Sequence, residues 1–327
     1  MCTSISYLAK NDHVFLGRTM DFGFELNGHP IAIPRHYQWQ SQLGETYTFK
    51  YGFIGIGRKL DDYLFADGVN EHGLAVAELY FAGEAAYAEV VPDKKGQLAA
   101  HEFIMWVLGN LSSVAEVKSA SQEITLVDLP SKLLKVTSPL HFIMTDATGA
   151  CIVVEPEADG LHIIDNQVGV MANSPEFPWH LTNLRNYLGL DPHSVNHRQL
   201  GDVELQSFGP GSGTFGLPGG YSSPERFVRA AYLRNTIQAS TDTDANVTNL
   251  FRILDNVTIP KGAKLQTNGE MDYTQYRVVM DLTTKTVYFQ PYNSLQLFAA
   301  RLTDELLEQD QVTEFTVNPG LGAISLN

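Results

Sequence analysis

Cysteine is nearly absent from the chain. Cys2 and Cys151 are the two among 327 residues. Two cannot build a disulfide framework, which makes a reducing compartment the expected setting. Basic charge is also scarce: 22 Lys and Arg face 37 Asp and Glu, a net charge of -15. Such a surface attracts neither nucleic acid nor anionic membranes, and neither is expected as a partner. No apolar run approaches the roughly 18 residues that a membrane span needs. The first twenty residues have neither a basic start nor a long apolar stretch, so no signal peptide is expected and the expected location is the cytoplasm. Several catalytic signatures are missing too. No Gly-x-Gly-x-x-Gly follows a predicted strand, and there is no P-loop and no Gly-x-Ser-x-Gly elbow. His101-Glu102 opens a helical pattern in the manner of a zinc protease, but Met105 stands where the second His is needed. The ten histidines show no metal-ligand spacing with the cysteines, so no metal or cofactor is expected. Asn246-Val247-Thr248 and Asn256-Val257-Thr258 fit the glycosylation pattern, but without secretion they read as helix residues.

What is present is ample apolar material. Hydrophobic residues make up 44% and charged residues 18%, enough for a sizeable core and too apolar for a disordered chain. Residues 3–9 and 13–17 alternate apolar and polar around Lys10-Asn11-Asp12, the pattern of a β-hairpin. Further strands are predicted over 30–34, 46–57, 64–69 and 74–81, with a turn signal at Asn27-Gly28. Residues 99–109 and 112–121 read as helices, the second capped by Ser112. A second hairpin is predicted over 138–146 and 151–156, and a short strand over 162–166. Residues 177–187, 224–238 and 245–256 read as helices, and 273–282, 286–292 and 296–302 as strands. Residues 209–220 carry six glycines and two prolines and predict an irregular loop. Strands and helices in this order predict an α+β fold. No linker or repeat divides the chain, so one domain over 1–327 is expected.

The chemistry gathers at the start. Position alone favours reading Cys2 as an ordinary strand residue. If Met1 is removed, however, Cys2 carries a thiol and a free α-amine on one residue. That amine has a pKa of about 7.7–8.0 and can take and give a proton near neutrality. Nucleophile and base then share a residue. The predicted hairpin lays the start of its first strand beside the end of its second, which places Gly17-Arg18-Thr19-Met20-Asp21 near Cys2.

These stretches, with Asp67-Gly68-Val69-Asn70-Glu71-His72-Gly73-Leu74, Ala172-Asn173-Ser174-Pro175 and Pro224-Glu225-Arg226-Phe227, resemble the choloylglycine hydrolase family of penicillin V acylases and conjugated bile salt hydrolases. The matches run in the family's order over much of the chain. The resemblance implies an N-terminal nucleophile hydrolase with an αββα sandwich, active after loss of Met1. It implies Cys2 as nucleophile, Arg18 and Asp21 as its flanking pair, and Arg226 as a second arginine of the site. Asn173 and the Tyr80 N–H are implied as the two oxyanion donors. Cations beside a thiol favour the thiolate, and Asp21 is expected to orient the amine.

The substrate expected from this resemblance is a small-molecule acyl amide. Tyr80 stands where penicillin V acylases usually have Tyr and bile salt hydrolases usually have Asn. That ranks phenoxyacetyl amides first, with conjugated bile salts and acyl-homoserine lactones as alternatives. A silent binding relative is the non-enzyme alternative. Met20, Phe22 and Phe24, near the motif, are candidate walls of an acyl pocket, as is the stretch 53–57. The resemblance also implies a homo-oligomer, commonly a tetramer, with the 209–220 loop as a contact.

Overall fold

The opening hairpin forms as its alternation predicts. In a computed structural model describing residues 1–132 and 135–326, Cys2–Leu8 pairs antiparallel with Val14–Phe22, in a register that sets Cys2 against Met20 and Ser4 against Arg18. The second strand runs five residues beyond its expected end at Gly17, because Tyr273–Asp281 pairs with its other edge. These strands are the centre of a six-stranded antiparallel sheet. Its order is Val170–Met171, Cys2–Leu8, Val14–Phe22, Tyr273–Asp281, Thr286–Pro291 and Phe298–Arg301. A larger sheet of eight strands runs Gly160–Asp165, Cys151–Glu157, Leu140–Thr145, Ala75–Tyr80, Tyr63–Asn70, Phe53–Lys59, His29–Ile33 and Thr313–Glu314.

Alternation gives each sheet two apolar faces. Leu16, Val278 and Met280 of the smaller sheet share one buried cluster with Ile54, Val69, Ala77 and Ile143 of the larger. The odd-and-even partners on the larger sheet, Val76, Phe142 and Met144, belong to a second cluster with Phe103, Ile104 and Val107 of the helix Phe103–Asn110. Helices Ser223–Thr236 and Thr243–Asp255 cover the outside of the smaller sheet. The layers are helix, sheet, sheet, helix, the αββα sandwich that the resemblance implies. No helix among the described residues is long and apolar enough to cross a membrane.

Local departures have local causes. The strand expected over 46–57 breaks into Thr46–Thr48 and Phe53–Lys59, because the amides of Lys50 and Tyr51 donate to Gly109 O instead of a neighbouring strand. The helix Val114–Ala120 is capped by Ser113, whose hydroxyl accepts from the Glu116 amide, and not by Ser112. The 209–220 loop contains one tight turn, Ser212–Thr214. An unexpected exposed hairpin, His197–Leu200 with Val203–Gln206, turns at Gly201-Asp202.

One irregularity shapes the site. Tyr63–Asn70 and Ala75–Tyr80 pair only where Asp67–Val69 meets Ala75–Ala77. Beyond Asp67 and Ala77 the two strands part, leaving a gap in the larger sheet.

Candidate active site

Arg18 fills that gap. It shares a face with Cys2 and Met20, because directly opposed and alternate residues of a hairpin point the same way. Its Nη2 donates to Cys2 Sγ at 2.8 Å and to Glu78 O at 3.3 Å. Its Nη1 donates to Ala66 O and to Asp67 Oδ2, both at 3.1 Å, and its Nε to Thr19 O at 3.0 Å. The guanidinium thus spans carbonyls of the two parted strands. Asp67 is fixed in turn by the Tyr276 hydroxyl at 2.8 Å and the Ile56 amide at 3.2 Å. Burial pushes the Asp67 carboxyl up, while Arg18 pulls it down. Burial also works against the Arg18 charge, but Cys2, Tyr276 and Asp67 around it outweigh that and hold its proton more tightly than in an ordinary arginine.

The other face of the hairpin carries Thr3, Thr19 and Asp21 toward the helices. Arg226 meets them there. It is the fourth residue of Ser223–Thr236, a helix started by a capping box between Ser222 and Glu225 with Pro224 in the first turn. Its Nη1 donates to Cys2 O at 2.6 Å and to Thr3 Oγ1, and its Nη2 to Asn173 Oδ1 at 2.7 Å. Asp21 accepts from the hydroxyls of Thr19, at 3.2 Å, and Thr274, and lies 4.0 Å from Arg226 Nη1. Burial raises the Asp21 carboxyl, with Arg226 and the N-terminal ammonium opposing. Arg18 and Asp21 therefore do not pair with each other. Their partners are Asp67 and Arg226, and Arg226 bonds the Cys2 carbonyl.

Asn173 follows the edge strand Val170–Met171. Ser223 Oγ exchanges bonds with its backbone N–H and C=O at 2.9 and 2.8 Å, and His180 Nε2 sits 2.8 Å from its carbonyl. Asn173 Oδ1 accepts from the Cys2 backbone nitrogen at 2.8 Å and from Arg226. Neither partner can accept, which fixes the amide's orientation. Its Nδ2 donates to Tyr80 O at 2.7 Å and keeps a second proton. Phe81 N–H donates to Pro139 O, so by alternation Tyr80 and Leu140 form a non-hydrogen-bonded pair. The Tyr80 N–H accordingly turns away from Leu140, to the side where Asn173 and the gap lie. Two N–H donors converge beside a thiol, the arrangement that receives the oxyanion of an attacked carbonyl.

Met1 is in place here. Its ammonium donates to Asp21 O, and Asp21 N–H donates to Met1 O at 2.9 Å. The Cys2 nitrogen is then an amide and cannot carry protons.

The gap opens into an apolar pocket that reaches Cys2 and takes walls from both faces of the larger sheet. Met20, Phe22, Leu26, Ile56, Leu79 and Leu140 are among them, with Tyr80, Glu78, Tyr276 and His101. Of the three candidate wall residues, Met20 and Phe22 line it. Phe24 does not; it is 39% exposed and packs edge-on against Phe22 at 5.0 Å. Tyr80 also packs edge-on against Phe22, at 6.0 Å.

Asp67, Tyr276, Glu78 and Thr274 escaped the sequence reading as site residues. Asp67 stood in a matched stretch and Glu78 two residues before Tyr80; Thr274 and Tyr276 come from a distant strand. The described carboxylate–histidine group with metal-ligand spacing, Glu157, Asp159 and His162, lies on the Cys151–Glu157 and Gly160–Asp165 edge pair, with Asp159 exposed and the other two half-buried.

Residues 2–316 match the profile of linear amide C–N hydrolases, choloylglycine hydrolase family. A bile salt hydrolase/transferase of Clostridium perfringens is 34% identical over all of both chains. A crystal structure of conjugated bile acid hydrolase from the same organism superposes with a TM-score of 0.93, covering 100% of each chain at 34% identity. A penicillin V acylase of Pectobacterium atrosepticum is 28% identical, over 91% of this chain and 80% of its own. The chain belongs to the choloylglycine hydrolase family of linear amide C–N hydrolases.

Proposed function

We propose that the chain hydrolyses the amide of glycine- and taurine-conjugated bile salts, with Cys2 as nucleophile once Met1 is removed. The observation that carries the mechanism is Cys2 itself: Arg18 Nη2 lies 2.8 Å from the sulfur and Asn173 Oδ1 lies 2.8 Å from the nitrogen. Without Met1 that nitrogen becomes an amine, suited to take the thiol proton and pass it to the leaving amine. Arg18 is placed to stabilise negative charge on sulfur. The thiolate attacks the amide carbonyl, whose oxyanion is received by Asn173 Nδ2 and the Tyr80 N–H. The amine departs, leaving a thioester, and water then frees the acid. Asp21 and Arg226 hold Asn173 and the Cys2 backbone in register.

For the substrate, full-length similarity to proteins named as bile salt hydrolases weighs more than one side chain. It reverses the ranking drawn from Tyr80. The Tyr80 ring packs on Phe22, and its backbone N–H serves the oxyanion whatever the side chain is. Phenoxyacetyl amides are the second reading, favoured by that same ring at the pocket wall.

The test is kcat/KM for glycocholate and for penicillin V, with intact-mass measurement of the same sample. The expected result is a clear preference for glycocholate, a mass lacking Met1, and no turnover by a folded Cys2→Ala variant. Preference for penicillin V overturns the substrate; unchanged turnover in Cys2→Ala overturns the mechanism.

A further inference from the structure

Glu78 carries a buried carboxyl oxygen that lacks a partner among the described residues. It stands two residues before Tyr80, where the Ala75–Tyr80 strand parts from Tyr63–Asn70. That oxygen is Oε2, and no described residue hydrogen-bonds it. The side chain lines the pocket that reaches Cys2, among apolar walls such as Phe65 and Leu140. The charged and titratable groups around it are engaged elsewhere or neutral. Arg18 takes the Glu78 carbonyl, Cys2 Sγ and Asp67. The Tyr276 hydroxyl is on Asp67, and the Tyr87 hydroxyl is on Ser138 O and exchanges with Leu140. Arg58, whose Nη1 donates to Leu26 O at 3.3 Å, together with Tyr80 and His101 completes the titratable wall. Burial pushes the Glu78 carboxyl up to about 8, with Arg18 opposing and Asp67 adding. At neutral pH it is mainly the neutral acid, able both to donate and to accept.

A buried polar atom without a partner disfavours the state that leaves it so. A ligand that supplies the partner recovers that loss, and one that does not is rejected. A hydrocarbon acyl group would cover Glu78 and leave it unsatisfied; an alcohol on the acyl body would complete it.

We propose that Glu78 is a specificity-determining residue that hydrogen-bonds a hydroxyl on the acyl body of the amide, so that the pocket selects hydroxylated acyl groups over hydrocarbon ones of the same shape. This rests on the reading that the pocket beside Cys2 receives the acyl side of the substrate.

The experiment compares two glycine amides of one steroid acid, the trihydroxylated form and the form without hydroxyls, on wild type, Glu78→Leu and Glu78→Gln. The expected result is that wild type favours the hydroxylated amide in kcat/KM. Glu78→Leu shrinks that ratio roughly tenfold, through KM, while Glu78→Gln keeps most of it because an amide still donates and accepts. An unchanged ratio in Glu78→Leu overturns the assignment. If Glu78→Leu does not fold, wild type and Glu78→Gln decide the matter. Above pH about 8, where wild-type Glu78 ionises and turns from donor and acceptor into acceptor only, its KM for the hydroxylated amide changes, while that of Glu78→Gln stays flat. Identical KM profiles overturn the assignment. If wild type cleaves penicillin V and neither steroid amide, the bile salt reading alone falls. The same ratio is then read on penicillin V and its para-hydroxyphenoxy counterpart.

Discussion

Arg18 and Asp67 form an ion pair sealed from solvent. Their Nη1 and Oδ2 atoms lie 3.1 Å apart and both side chains are fully buried. Removing one partner of such a pair leaves an uncompensated buried charge, a loss of about 3–5 kcal/mol. Asp67→Ala is therefore expected to lower stability by about that amount in denaturant unfolding. Asp67→Asn keeps the shape but not the charge, and with Arg18 less firmly set beside Cys2 its kcat should fall while the protein still folds. A wild-type denaturation midpoint for Asp67→Ala would show that the pair holds nothing.

Asn173 combines two tasks that substitution separates. Its Oδ1 ties the Cys2 nitrogen to Arg226, and its Nδ2 donates to Tyr80 O and carries the second proton proposed to meet the oxyanion. Asn173→Ala is expected to lose about 10²–10³ in kcat, the usual effect of removing one such donor. Asn173→Asp keeps the acceptor toward Arg226 and lacks the donor. It should be as slow as Asn173→Ala yet melt closer to wild type. Near-normal kcat in either variant would remove Asn173 from the oxyanion role.

His101 predicts an acid-sensitive fold. Its Nδ1 is buried without a partner among the described residues, and burial pushes its pKa from 6.5 down to about 4. Between those values the unfolded chain binds the proton and the folded chain does not. Stability therefore rises with pH through this window. The contribution is complete above pH 6.5 and is lost as pH falls toward 4, about 3 kcal/mol in all. His101→Gln should flatten the wild-type slope between pH 4 and 6.5 in unfolding measurements. A wild-type-minus-variant difference that stays constant across the window would refute this.

Much of the site was legible because its first half is local. A polar turn between two alternating runs sets the register of the opening hairpin, and the register brings Arg18 to Cys2. The same period of two also separates Arg18 from Asp21, since residues three apart face opposite sides. The two thus flank Cys2 from opposite faces of the hairpin. Asp67, Glu78 and Tyr276 were out of reach for another reason. They arrive from strands whose pairing depends on sheet order, and the hydrogen bond from Tyr276 to Asp67 spans 209 residues of sequence. The His197–Gln206 hairpin did carry a signal, Gly201-Asp202 followed by the alternating Val203-Glu204-Leu205-Gln206, but its residues are exposed on both faces and His197-Arg198-Gln199-Leu200 lacks the apolar alternation that marks a strand.

The gap in the larger sheet ties catalysis to architecture at one side chain. Where the ladder stops, Arg18 takes over the carbonyls of Ala66 and Glu78 and acts as a rung made of guanidinium. The same planar fork also serves the sulfur and Asp67, a set of directions that a single ammonium on a flexible stem does not reproduce. In the proposed mechanism, the reactivity of the thiol and the width of the substrate opening are consequently not independent variables. A change that retunes one at Arg18 re-spaces the strands that define the other.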